Sequence, residues 1–99
     1  MTNVKKLYSF QKLPKWFNGE IYSKGDTVKN PHYYGKFETY NKEIHELTAN
    51  ELSMYVFILS AKNLFELGLL LTESYKNMIK GRKWFMKNNP NAFYDLLDY

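Results

Sequence analysis

The chain has 99 residues, with 14 Lys and Arg against 10 Asp and Glu, 44% apolar residues and no cysteine. This length is that of one domain, and the apolar content is too high for a disordered chain. The lack of cysteine excludes a disulfide scaffold, a thiol nucleophile and a Cys-ligated metal site. The net charge of +4 would ease contact with nucleic acid or an acidic partner, without indicating specific binding. We therefore predict a single domain over residues 1–99.

The first half of the chain is divided by turn signals at Asn18-Gly19, at Lys24-Gly25-Asp26, at Asn30-Pro31 and at Tyr34-Gly35. Between these signals lie short runs with the composition of β-strands. The runs cover residues 20–23, 27–29, 36–40 and 44–47. They predict a β-hairpin or small antiparallel sheet, whereas the order of residues 1–17 is left open by the sequence.

Helical signals begin at Thr48. Thr48 and Glu51 have the spacing of a capping box, in which each side chain accepts a hydrogen bond from the other's backbone amide. We expect a helix over about residues 48–66 that is apolar on two opposite sides. One side is formed by Leu52, Tyr55, Val56 and Leu59, the other by Met54, Ile58, Ala61 and Phe65.

Two further helices are predicted, over about residues 70–88 and 90–98. Gly81 lies inside the first of these, where alanine would favour the helix by about 1 kcal/mol, which indicates a close neighbour. Asn89 and Pro90 are typical of the N-cap and the first position of the last helix. The apolar side of helix 70–88 is predicted to comprise Leu71, Tyr75, Met78, Ile79, Phe85 and Met86. The predicted fold class is α+β, an N-terminal hairpin or small sheet followed by three helices.

No apolar stretch of the sequence favours a membrane-spanning helix. The most apolar window, residues 52–71, contains Lys62, Asn63 and Glu66 near its centre, where charge is costly in a bilayer. The N-terminal residues have no apolar run of signal-peptide length, because lysines interrupt them. We expect a cytoplasmic protein that does not contact a membrane.

The two-sided helix 48–66 raises the question of what covers it. A monomer of this size buries both sides only if the hairpin region and the later helices cover opposite faces. Otherwise one side forms a homodimer or docks on another protein. The sequence favours dimerisation or partner binding.

A lysine stripe is predicted on helix 70–88. Four lysines spaced by four, three and four residues could follow a phosphate backbone, and Arg82 is nearby. Two helices joined by a short turn also resemble a helix-turn-helix unit. The plainer interpretation is a solvated face, since the stripe offers no base-reading side chains. Any nucleic-acid binding would be non-specific. The stripe consists of Lys76, Lys80, Lys83 and Lys87.

An aromatic segment follows Pro31. Its side chains could stack on unpaired bases beside nearby lysines, cover a small sheet as ordinary strand residues, or form a protein-binding surface. We favour the last two uses. The candidate protein-binding residues are Tyr33, Tyr34, Phe37 and Tyr40.

Catalysis and metal binding are poorly supported. His32 and His45 are the only histidines, and a metal site with Glu43 and Glu46 would require His32 to fold back beside them. Asp95 and Asp98, near the C-terminus, are expected to be solvated. The sequence contains no phosphate-binding glycine loop and no nucleophile elbow. We predict no catalytic residues, no metal and no cofactor.

Several short motifs between residues 26 and 98 resemble a family of small uncharacterised proteins from marine bacteriophages, especially cyanophages. The motifs are Val28-Lys29-Asn30-Pro31, Glu46-Leu47-Thr48 with Glu51, Tyr55, Phe57 and Ile58, then Lys80-Gly81, Trp84-Phe85, Asn88-Asn89-Pro90, Ala92-Phe93 and Leu96-Leu97-Asp98. Here the turn after Pro31 is longer, and Phe93 stands where the family usually has Tyr. The resemblance implies a phage protein in the host cytoplasm and brings no activity with it.

Taken together, these patterns predict a small non-enzymatic protein that binds another protein, and the resemblance implies that it is a phage accessory protein. The alternative is a non-specific nucleic-acid-binding protein that uses the lysine stripe. A structural component of the particle is a third possibility.

Overall fold

The computed structural model describes residues 11–29 and 44–97. Two short strands pair antiparallel, with Asp26 opposite Leu47 and Lys29 opposite Ile44, and three helices follow. This arrangement confirms the predicted α+β fold class. The elements are β1 (Asp26–Lys29), β2 (Ile44–Leu47), α1 (Ala49–Glu66), α2 (Thr72–Asn88) and α3 (Pro90–Leu96).

Two helix starts follow the local sequence signals. The Glu51 amide donates to Thr48 Oγ1 at 3.2 Å, and the Thr48 amide donates to Glu51 Oε1 at 3.0 Å, which completes the capping box of α1. The Asn89 side chain accepts a hydrogen bond from the Ala92 amide at 3.2 Å, with Pro90 as the first residue of α3. Both caps confirm the predicted starts, because each satisfies backbone donors that a helix leaves free.

The strand predicted over residues 20–23 is wrong. Instead of pairing with another strand, the Tyr22 amide donates to Ser53 Oγ of α1 at 2.9 Å. The Ser53 hydroxyl in turn donates to the Ala49 carbonyl at 2.8 Å. The run therefore uses a helix side chain as its hydrogen-bond partner. A further strand was predicted over residues 36–40, which lie outside the described residues.

The core forms where the three helices meet. Its most deeply buried large apolar side chains are 0–2% exposed: Met54, Ile58, Phe85, Leu96 and Leu97. The N-terminal segment covers a neighbouring part of α1, with the rings of Trp16 and Phe17 centred 5.9 and 5.3 Å from the Phe57 ring. Residues 11–17 are thus packed against the helices, which the sequence did not establish.

Both apolar sides of α1 are covered within the chain as far as Ala61. The predicted side-chain positions from Leu52 to Ala61 are buried or half-buried, and only Phe65 remains 53% exposed. The two-sided pattern of α1 therefore does not by itself require a dimer. The exposed apolar surface lies beyond Ala61.

The apolar side predicted for α2 is buried only in its middle. Met78 and Phe85 are buried, whereas Leu71, Tyr75 and Met86 are 74, 40 and 38% exposed. The prediction that this side is buried is therefore wrong near both ends of α2. Helical spacing shows which positions share a side of the helix, but it does not show how far a neighbouring element extends along that side.

Gly81 allows α1 and α2 to approach each other closely. A Cβ atom at this position would lie 2.9 Å from Met54 Sδ and 3.5 Å from Ile58 Cγ1. Because Met54 is fully buried, its side chain has little room to move away. The close neighbour predicted from the sequence is confirmed, and it belongs to α1.

We expect Gly81→Ala to lower the free energy of unfolding by about 1 kcal/mol, since overpacking outweighs the gain in helix propensity. In a Met54→Ala background the obstacle is gone, and the same change should stabilise the protein by up to about 1 kcal/mol. Urea unfolding of the four proteins measures both effects. An equal effect of Gly81→Ala in both backgrounds would show that Met54 is not the obstacle.

A buried polar network joins the N-terminal segment to the helix ends. Glu51, with a side chain that is 0% exposed, accepts hydrogen bonds from Gln11 Nε2 at 2.8 Å and from Asn89 Nδ2 at 3.2 Å, besides the Thr48 amide. The Thr48 hydroxyl donates to Gln11 Oε1 at 3.0 Å, and Asn50 Nδ2 donates to the Gln11 carbonyl at 2.8 Å. Every buried side-chain nitrogen and oxygen of the described residues has a partner. The network thus connects three parts of the chain at one carboxylate.

Candidate interaction surfaces

The aromatic residues proposed for protein binding, Tyr33, Tyr34, Phe37 and Tyr40, lie outside the described residues. The same is true of His32 and Glu43 from the considered metal site. The surfaces that the structure shows are formed by residues 11–29 and 44–97.

The turn between α1 and α2 is a Schellman motif. The Leu69 amide donates to the Leu64 carbonyl at 2.8 Å, and the Gly68 amide donates to the Phe65 carbonyl at 3.0 Å. Gly68 has φ +74°, the left-handed conformation that this motif requires. A hydrophobic contact between the positions of Leu64 and Leu69 commonly accompanies the motif, so these two apolar residues have a local explanation.

Six large apolar side chains surround this turn and are 40–74% exposed. Large contiguous exposed apolar patches are uncommon on monomeric proteins and often mark binding surfaces. The Schellman motif does not account for the other four side chains, although the Phe65 and Tyr75 rings contact each other with centroids 5.3 Å apart. We call this surface the apolar cluster; it consists of Leu64, Phe65, Leu67, Leu69, Leu71 and Tyr75.

Charges of both signs border the apolar cluster. Lys62 Nζ lies 3.7 Å from Glu66 Oε2 on the last turn of α1, while Glu73 and Lys76 are exposed on the first turns of α2. Two positive and two negative side chains leave the border with no net charge. An apolar centre with a charged border is the usual composition of a protein–protein interface.

The start of α2 is not optimised for helix stability. Its N-cap is Leu71, which makes no side-chain cap hydrogen bond. Leucine is one of the poorest N-cap residues, and Ser or Asp there would contribute about 1 kcal/mol. Leu71 is also 74% exposed, so burial in the core does not explain its presence. A residue that serves neither the helix nor the core is a candidate for contact with another molecule.

The four lysines of the predicted stripe share one exposed side of α2. At about 100° per residue, Lys76, Lys80, Lys83 and Lys87 fall within about 60° of the helix circumference, and all four are exposed. Within residues 11–29 and 44–97, none of them has an acidic partner within salt-bridge distance.

Arg82, grouped with the stripe in the sequence, points elsewhere. Its Nη1 donates to the Leu97 carbonyl at 2.9 Å, and its guanidinium carbon lies 5.3 Å from the centre of the Phe93 ring. Both contacts tie α2 to α3 and its C-terminal end. The arginine therefore has a structural role in this fold, and the exposed stripe consists of lysines.

The N-terminal segment, which carries two more exposed lysines, lies beside the stripe. Trp84 Nε1 donates to the Lys12 carbonyl at 3.0 Å, and a Gly81 Cβ would lie 3.6 Å from the Trp16 ring. Residues 11–17 therefore run along α2, and Lys12 and Lys15 are both exposed there. Sequence reasoning missed this addition, because Lys12 and Trp84 are 72 positions apart. We call the combined surface the basic surface; it consists of Lys12, Lys15, Lys76, Lys80, Lys83 and Lys87.

His45 and Asp95 form a pair between β2 and α3. His45 Nε2 lies 2.7 Å from Asp95 Oδ2, and the side chains are only 10% and 14% exposed. Asp95 was expected to be solvated, and this expectation is wrong: the packing of α3 beside β2 places it against the imidazole. The pair connects the sheet to the last helix.

The remaining chemistry of the described residues is sparse. Partial burial raises the pKa of the Tyr22 phenol, and the Glu20 carboxylate, 3.2 Å from the hydroxyl that donates to it, raises this pKa further. No group of three or more His, Asp or Glu side chains that could hold a metal ion occurs among residues 11–29 and 44–97. Nor does any helix in that part of the chain have the length and apolarity to cross a membrane.

Comparison with known proteins gives no match to a family model, to a curated protein or to a solved structure.

Proposed function

We propose that this chain is a small non-enzymatic protein that acts by binding another protein, and that the apolar cluster is its contact surface. The observation that carries the proposal is the exposure of six large apolar side chains around one turn. Buried against a partner, each leucine would contribute about 1.5–3 kcal/mol, enough in combination for a specific complex.

The poor N-cap supports this proposal independently. Selection for helix stability alone would place Ser, Thr, Asp or Asn before Thr72, whereas the chain has the exposed Leu71. Stability given up at an exposed position is typical of residues retained for function. The border without net charge also allows a second copy of the chain as partner, which makes a homodimer one form of the proposed complex.

The proposed setting follows from the sequence resemblance to marine phage proteins. In that setting the chain is an accessory protein in the host cytoplasm, and its partner is a host or phage protein. Tyr33, Tyr34, Phe37 and Tyr40 remain proposed as a second set of contact residues.

Photo-crosslinking tests the proposed surface and identifies the partner in the same experiment. A benzophenone amino acid replaces Leu67 in one variant and Tyr94, which is 56% exposed on α3, in the control. We expect a defined adduct from the Leu67 position that is absent from the Tyr94 position. Mass spectrometry then distinguishes a second copy of the chain from another protein. Equal, non-specific adducts from both positions would contradict the proposal.

Leu71→Asp separates binding from stability. The aspartate can cap α2, so we expect the free energy of unfolding to rise by about 0.5–1 kcal/mol. At the same time the loss of one apolar contact should weaken partner binding by about tenfold. The two effects are measured by urea unfolding and by the Leu67 crosslinking yield. A purely structural Leu71 would leave the crosslinking yield unchanged.

A further inference from the structure

We infer that the basic surface is a second binding site, distinct from the apolar cluster, for the phosphate backbone of duplex nucleic acid. It combines four lysines of α2 with Lys12 and Lys15 of the N-terminal segment. The inference does not rest on the proposed protein binding, because none of the six lysines is a member of the apolar cluster, although Lys76 also belongs to its charged border.

The four lysines of α2 form a row of positive charge along one side of the helix. From Lys76 to Lys87 the ammonium groups extend over about 16 Å of helix, at 1.5 Å per residue. The acidic residue nearest this side on α2 is Glu73, at the N-terminal end of the stripe. Without salt-bridge partners among the described residues, these lysines are available to replace counterions on a polyanion.

The N-terminal segment packs beside this row of lysines. Trp84 follows Lys80 by one helical turn, so the segment bonded to Trp84 lies on the Lys80 side of the stripe. Lys12 and Lys15 therefore widen a single row of charge into a broader surface. This extension is built by hydrogen bonding and ring packing in the folded chain.

The chemistry of the surface indicates a phosphate backbone and not bases. Lysine is a point charge that binds phosphate without reading sequence, whereas base recognition uses Arg, Asn or Gln. The indole of Trp84 is already engaged, since its N–H bonds to the Lys12 carbonyl and its ring meets Phe85 edge-on at 6.4 Å between centroids. The six side chains of the basic surface are all lysines, which offer no ring for stacking, so we expect a duplex to bind better than unpaired bases.

The test is binding of the purified chain to a fluorescent DNA duplex between 50 and 200 mM salt, with a single strand of the same length and heparin as further probes. We expect affinity to fall steeply with salt, with a logarithmic slope of about −4 to −5 for the duplex if most of the six lysines contact phosphates. Binding to the single strand should be weaker. No duplex binding at 50 mM salt, or tighter binding to heparin or to the single strand, would overturn the inference.

Charge-reversed variants locate the site. Lys80→Glu with Lys83→Glu should weaken duplex binding at least tenfold and make the salt slope shallower by about 2. Lys12→Glu with Lys15→Glu should give a loss of similar size. The matched control, Lys24→Glu with Lys29→Glu, also lowers the net charge by four, from +4 to zero, at exposed positions on the hairpin side. An equal loss in the control would overturn the assigned site, and an unchanged affinity of the Lys12 and Lys15 variant would exclude the N-terminal segment.

Discussion

Replacing Glu51 by alanine is expected to lower the free energy of unfolding by about 2–4 kcal/mol, because it removes the acceptor for three donors. The Thr48 amide, Gln11 Nε2 and Asn89 Nδ2 would all lose their bonds to a carboxylate that is 0% exposed. Unsatisfied donors in the interior carry their full desolvation penalty. The network therefore makes Glu51 one of the positions most sensitive to truncation.

Glutamine at the same position should be tolerated better. Its amide group can keep the oxygen that accepts from Thr48 and Asn89, and the Gln11 side-chain amide can rotate by 180° to accept from the new NH2 group. This rotation gives up the hydrogen bond from the Thr48 hydroxyl to Gln11 Oε1 but leaves fewer unsatisfied groups than alanine does. The exposed Glu46 of β2 gives the matched control: Glu46→Ala should change stability by less than about 0.5 kcal/mol. Urea unfolding with unchanged m-values measures all three variants. Equal losses for Glu51→Ala and Glu46→Ala would show that the network does not stabilise the fold.

Gly25→Ala is expected to destabilise the protein by about 3 kcal/mol through direct overlap with backbone. A Cβ atom there would overlap the Leu47 carbonyl oxygen and lie 3.0 Å from Thr48 Cα. Backbone atoms cannot move aside as a flexible side chain can. These atoms also belong to the end of β2 and to the cap of α1, so the substitution disturbs both elements at once.

Gly68 provides a comparison with Gly25. Glycine is favoured at position 68 by the backbone conformation, whereas at position 25 it is required by the lack of room for a side chain. Its φ is +74°, and a Cβ atom would meet nothing within 4 Å. Gly68→Ala should therefore lose only about 1 kcal/mol, and Gly68→Asn still less, since asparagine tolerates the left-handed region. Asparagine at Gly25 should be at least as harmful as alanine. The opposite ranking in thermal or urea unfolding would contradict this division of roles.

The parts of the fold that the sequence predicted are those fixed by neighbouring residues. Thr48 with Glu51 and Asn89 with Pro90 act over three or four positions, and the helices start where these signals stand. Gly81 also indicated a close neighbour, since glycine disfavours a helix interior unless another element packs closely there. Local chemistry of this kind is visible in a single sequence.

The parts that the sequence did not predict depend on contacts between distant residues. His45 and Asp95 are 50 positions apart, and Tyr22 finds its partner 31 positions away at Ser53. The apolar cluster was missed for the same reason: Leu71 and Tyr75 have the spacing of core residues, and only the ends of the neighbouring elements show that they stay exposed. Only part of the basic surface was predicted. The lysine stripe on α2 is visible in the sequence because it has a helical period, whereas Lys12 and Lys15 join it only through tertiary packing.

The pairing of Lys29 with Ile44 holds the two ends of segment 30–43 side by side on adjacent strands. The register of the two strands therefore sets the points at which residues 30–43 leave and rejoin the described fold. The core side chains lie outside this interval of the sequence, so the contact residues proposed within it can be substituted without replacing any of them.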